Sequence, residues 1–127
     1  MSFGGCYYPA SGPSCGEKTG FYVTLVRGLS VLTNFRFRTG GDLPGRDPIS
    51  ITIEGSNQSG TALTLGSSWT QIYSGASGLI SDPGRLELGS MQSISNYNSF
   101  SSYRLLVTSH RASSHGTQYS EMEFYGY

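Results

Sequence analysis

The chain has 127 residues, and its eight basic and eight acidic side chains cancel. That length suits one domain with a core of its own, while the balanced charge excludes a global field that would draw the chain onto nucleic acid or an anionic membrane. No apolar run reaches the roughly 20 residues a membrane-spanning helix needs, and the sequence as given opens with no basic-then-apolar signal pattern.

The opening, "MSFGGCYYPASGPSCGEKTG", has no strand periodicity, and its first five residues read as a trimmed boundary. Residues 1–19 are expected to form an opening loop. Cys6 and Cys15 bracket "YYPASGPS". A disulfide across so short a Pro/Gly loop would contribute roughly 2.5–3 kcal/mol in an oxidising compartment; the alternative is two free thiols in a reducing one. "GPSCG" matches G-x-S-x-G, but a nucleophile elbow needs a strand before it and a helix after it, and neither is expected here. Tyr7 and Tyr8 could stack on a ligand or pack over one end of the core.

Strand candidates follow at short spacing: Gly20–Arg27, Ser30–Thr39, Ile49–Gly55, Thr70–Ser74, Arg85–Leu88, Met91–Ser95, Ser102–His110 and Gln118–Tyr125. "TNFRFRT" alternates strictly, with Phe35 and Phe37 on one face and Arg36 and Arg38 on the other. "ISITIEGS" does the same through Ile49, Ile51 and Ile53. Period-two alternation marks a half-buried strand, and the Gly, Pro, Asn and Asp in "GGDLPGRDP", "SNQSG" and "SDPGR" supply turn geometry. Short strands separated by such turns predict an all-β sandwich or barrel. Asn57-Gln58-Ser59 is a glycosylation acceptor pattern, meaningful in a secreted eukaryotic chain.

Four pieces in fixed order carry a family likeness: Gly55-Ser56-Asn57 ending a strand, Trp69-Thr70-Gln71-Ile72-Tyr73, Tyr103-Arg104-Leu105, and a closing strand from Glu121 to Gly126. Over Leu29 to Tyr127 the chain resembles the discoidin-like, galactose-binding-like domains, among them the coagulation factor 5/8 C-type modules and the family 32 carbohydrate-binding modules. The resemblance implies a jelly-roll β-sandwich of about eight antiparallel strands spanning residues 1–127, whose closing strand completes the domain. It also implies that Trp69 packs within the sandwich. The family's usual opening segment, an "A-x-D-x-N-x-x-T-x-W"-like stretch, has no counterpart here.

In sugar-binding relatives the ligand sits on end loops. The loop "TGGDLPGRDP" resembles the one that supplies an Arg, which makes Arg46 the leading candidate, with Asp42 and Asp47 beside it. A guanidinium offers a fixed fork of donors, and carboxylates accept from hydroxyl pairs. For Asp47 the competing expectation is a structural pair with Arg46 in a turn before Pro48. The second loop, "SHRASSHGTQY", offers His110, Arg111, His115 and Tyr119. His110 and His115 lack a third clear ligand for zinc. In relatives a Glu at the place of Glu121 helps hold structural calcium; calcium wants six to eight oxygens, and with no upstream Asp partner weak or no binding is expected.

No paired-carboxylate arrangement, P-loop or zinc motif stands out, so no enzyme and no cofactor is expected. The leading expectation is a non-catalytic carbohydrate-binding module at the cell surface or outside the cell, cut from a larger protein, with a glycan or glycoconjugate as partner. A protein- or lipid-binding adhesion module, or a structural subunit, is the alternative. The polar end loops and neutral charge disfavour a membrane, and no nucleic acid is expected.

Overall fold

The computed structural model describes residues 2–5, 19–112 and 116–127, with side chains described from Gly20 onward. Cys6, Tyr7, Tyr8, Cys15 and His115 lie outside the described residues. Three strands dominate the sequence pattern, and they are the strands that build the core. Leu32–Arg38 (β3) turns Phe35 and Phe37 fully inward and leaves Arg36 and Arg38 outside. Pro48–Ser56 (β4) buries Ile51 and Ile53, and Ser102–His110 (β7) buries Tyr103, Leu105 and Val107.

Nine strands are present among the described residues. Besides these three they are Ser2–Gly5 (β1), Thr19–Thr24 (β2), Thr70–Ala76 (β5), Gln92–Ser93 (β6), Gly116–Gln118 (β8) and Glu121–Gly126 (β9). All pair antiparallel. One sheet has the order β2-β7-β4-β5, a second has β6-β3-β9, and β1 pairs with β8 in a small ribbon. The chain is therefore an all-β sandwich, with the two larger sheets closing over one core.

Edge-to-face aromatic contacts knit that core. Phe35 meets Tyr73 at 5.1 Å between ring centroids and Phe37 at 6.0 Å, while Phe37 meets Tyr119 at 5.0 Å. Rings of this size bury large areas, and such pairs add about 0.5–1.5 kcal/mol beyond the burial itself.

The structure departs from the expected elements in five places. Ser2–Gly5, expected within an opening loop, is strand β1, because its backbone pairs antiparallel with β8 from Ser2 opposite Gln118 to Gly5 opposite Gly116. Arg85–Leu88 is not a strand: Leu86 adopts a left-handed backbone at φ 58°, and only a single bridge joins Leu88 to Arg38. Met91–Ser95 shrinks to β6. The expected closing strand Gln118–Tyr125 breaks at Tyr119 and Ser120 into β8 and β9, which belong to different sheets. Trp69 is buried, yet outside the space between the sheets. Its indole N–H donates to the Leu63 carbonyl at 3.0 Å, and the Arg104 guanidinium covers its ring at 4.8 Å. Because Arg104 alternates with inward-facing Tyr103 and Leu105, this places Trp69 on the outer face of the four-stranded sheet.

Candidate functional site

The loops that leave β3, β5 and β7 gather at one end of the sandwich, and a buried ion-pair knot joins them. Asp47 follows a single 3-10 turn, Pro44–Arg46, and its amide closes that turn onto the Pro44 carbonyl at 3.1 Å. Its side chain is only 1% exposed. Arg85 grips it with both terminal nitrogens, at 2.8 and 2.7 Å, and Arg111 adds a third donor at 3.0 Å. This two-pronged geometry matches guanidinium to carboxylate.

Each arginine is also held from elsewhere. Arg85 reaches Asp82 at 2.8 Å, and Arg111 donates to the carbonyls of Leu79 at 2.6 Å and Ile80 at 3.0 Å. The hydrogen bonds that Arg85 donates to Asp47, set against partial burial, push it further above its already high range. Asp82 accepts the Gly84 amide at 2.9 Å, and that bond, followed by Arg85, holds its carboxyl below the usual range.

Backbone contacts zip the two predicted loops together. The Arg111 amide donates to the Asp47 carbonyl at 3.0 Å and the Ala112 amide to Gly45 at 3.1 Å. Thr39 anchors the third loop, with its hydroxyl donating to Gly84 at 2.6 Å and accepting the Glu87 amide at 3.0 Å.

Of the predicted site residues, Asp42 is exposed and Arg46 half-exposed, and no ion pair or hydrogen bond engages the Arg46 guanidinium among the described residues. Asp47 and Arg111 lie at the same end but are consumed by the knot. The alternative expected for Asp47, pairing with Arg46, is replaced by pairing with Arg85 and Arg111. His110 is half-buried opposite Pro48 in the β4–β7 ladder. Tyr119 sits in the core at 2% exposure, where burial pushes its phenol well above the ordinary value; its ring meets that of Phe37. Glu121 stands on the outer face of the three-stranded sheet and accepts from Arg38 at 3.1 Å. No group of three or more His, Cys, Asp or Glu converges among the described residues.

Sequence reasoning missed Asp82 and Arg85, because "SDPGR" reads as a turn and Arg85 as the first residue of a strand running to Leu88. It also missed three exposed aliphatic side chains at this end, Leu43, Ile80 and Leu86. Leu43 and Leu86 both hold left-handed backbone, at φ 49° and 58°, a conformation costly for any residue with a branched or bulky side chain. No model of a known protein family matches the chain, and no curated protein matches it either.

Proposed function

We propose that this chain is a non-catalytic carbohydrate-binding module of galactose-binding-like, jelly-roll type, working at the cell surface or outside the cell and taking a glycan at the end marked by Arg46. One observation carries the reading: Arg46 presents a guanidinium without an ion pair among the described residues, on a loop held by the Asp47–Arg85–Arg111 knot beneath it. A loop already held by the knot loses little backbone freedom on binding, so less of the affinity gained by the Arg46 hydrogen bonds to sugar hydroxyls is spent on ordering the loop. The aliphatic side chains of Leu43, Ile80 and Leu86 supply apolar surface at the same end for the C–H face of a sugar ring.

The test combines a glycan array with calorimetry on the best hit. Arg46→Ala is expected to weaken binding at least tenfold, the loss of one or two charge-assisted hydrogen bonds worth about 1.5–3 kcal/mol. Its melting temperature should stay within about 2 °C of the parent, because a half-exposed loop arginine with no partner among the described residues contributes little to stability. A silent array, or unchanged affinity in the variant, overturns this assignment of the site.

The three exposed aliphatic side chains favour a second reading, adhesion of this end to a protein or lipid surface. Cosedimentation with anionic vesicles that is lost in Leu43→Ser would replace the glycan reading with that one.

A further inference from the structure

At the end of the sandwich opposite Arg46, the two sheets part into an open cleft of about 200 Å³. Leu25, Val31, Leu32, Tyr103 and Phe124 form its walls. The volume is that of one ring: a cavity of about 150 Å³ is enough to hold benzene. It is too small for a drug-sized ligand, whose pockets run to about 300 Å³ or more.

Two polar groups mark this cleft. Arg27 lines it with an exposed guanidinium that has no ion pair or hydrogen bond among the described residues. Ser30 also lines it. At 8% exposure its hydroxyl is buried, and it has no hydrogen-bond partner among the described residues. The backbone of Ser30 is fully engaged: its amide and carbonyl pair with Phe100, and its carbonyl also accepts the Tyr103 hydroxyl. The unsatisfied atom is thus the side-chain oxygen alone. A buried hydroxyl without a partner has lost its hydration with nothing in return, and a ligand that supplies the missing partner recovers that loss.

We infer that this cleft is a binding site for an apolar, ring-sized group that carries a carboxylate. The ring fills the space between the sheets, the carboxylate pairs with Arg27, and an oxygen of the ligand accepts a hydrogen bond from the Ser30 hydroxyl. Two sources present this chemistry, a free arylalkanoate and the C-terminal aromatic residue of a peptide.

The experiment is an amide-resolved NMR titration with 3-phenylpropionate. We expect saturable shifts at Val31, Leu32, Tyr103 and Phe124 with a Kd of about 1 mM or tighter, in keeping with so few ligand atoms. The matching alcohol, 3-phenylpropanol, should bind at least fivefold more weakly. Arg27→Gln should bring the carboxylate down to the affinity of the alcohol and leave the alcohol unchanged. Ser30→Ala should weaken phenylpropionate severalfold while raising the melting temperature of the ligand-free protein, a combination that a purely structural serine would not produce. A tripeptide ending in Phe with a free carboxylate, compared with its amide, assigns the source: tighter binding by the free acid points to peptide C-termini, and binding by phenylpropionate alone points to small carboxylates. No shifts at the cleft, or equal affinity for acid and alcohol in the parent protein, would overturn the inference.

Discussion

Asp47 shows how one residue can look like a ligand contact and be a keystone instead. In sequence it stands beside Arg46 in a polar Gly/Pro loop, and a surface pair with its neighbour is the natural expectation. The fold turns it inward, where its two oxygens take three donors from Arg85 and Arg111, residues 38 and 64 positions further along the chain. Burial decides the energetics. An exposed pair would be worth about 1 kcal/mol or less, whereas removing one partner from a buried set leaves uncompensated charge and costs about 3–5 kcal/mol. The two guanidinium groups keep some contact with water, at 24% and 22% exposure, which lowers that figure. Asp47→Asn, which preserves shape and removes charge, is therefore expected to cost about 2–4 kcal/mol, measured by urea unfolding. A loss below about 0.5 kcal/mol would mean that the arginines are already balanced by solvent.

Among the elements, the strands with strict alternation were legible and the irregular ones were not. Phe35, Phe37, Ile51 and Ile53 announce their faces through period-two spacing, and each is fully buried. Nothing local distinguishes "RLELG" from a strand; its fate depends on Thr39 and Gly40, whose hydrogen bonds hold Glu87 and Leu86 in a turn. The resemblance motifs have a physical reading here as well. Gly55 allows the Phe100 ring to lie against β4, since a Cβ there would come within 2.4 Å of it. The Asn57 side chain accepts the Ser101 amide at 2.9 Å and donates to Ser99 at 3.2 Å, tying β4 to the start of β7. Glu54, Trp69 and Arg104 come from three separate pieces of sequence and meet in one cluster: Arg104 pairs with Glu54 and lies over Trp69. These motifs were therefore signals of architecture, while the site end depended on contacts between distant loops that no local pattern encodes. Arg104→Ala breaks both contacts at once. It is expected to cost about 2–3 kcal/mol, from a partly buried ion pair and a cation–π contact, and to shift Trp69 fluorescence to the red as water reaches the indole. An unchanged spectrum with unchanged stability would show that the cluster holds nothing together.

At the scale of the whole molecule the charges balance, so the dependence of stability on pH comes from individual shifted groups rather than from net repulsion. On the acid side, Glu123 is held below the usual carboxylate range by the Tyr125 hydroxyl and then by Arg36, and Asp82 by the Gly84 amide and then by Arg85. A depressed folded value favours the folded state above the unfolded value, and that contribution is lost as pH falls from about 5 through the folded value. Both carboxylates lie near the surface, so this limb should be shallow. The alkaline limb should be steeper. Tyr103 and Tyr119 are nearly inaccessible, at 1% and 2% exposure, and desolvation pushes both phenols up. Their contribution is fully present below the unfolded value near 10. Above it, the unfolded chain gives up protons that the folded chain keeps, and each such tyrosine removes about 1.4 kcal/mol of stability per pH unit until the folded group ionises. Urea unfolding followed across pH should therefore give a plateau between about pH 6 and 9, a gentle decline below, and a fall of about 1–2 kcal/mol between pH 10 and 11. Tyrosinate absorbance should rise in two stages, the exposed phenols titrating first and the buried ones appearing only with loss of tertiary structure. A single ordinary titration in the intact fold would show that Tyr103 and Tyr119 reach solvent, and that the core between the sheets is looser than their burial implies.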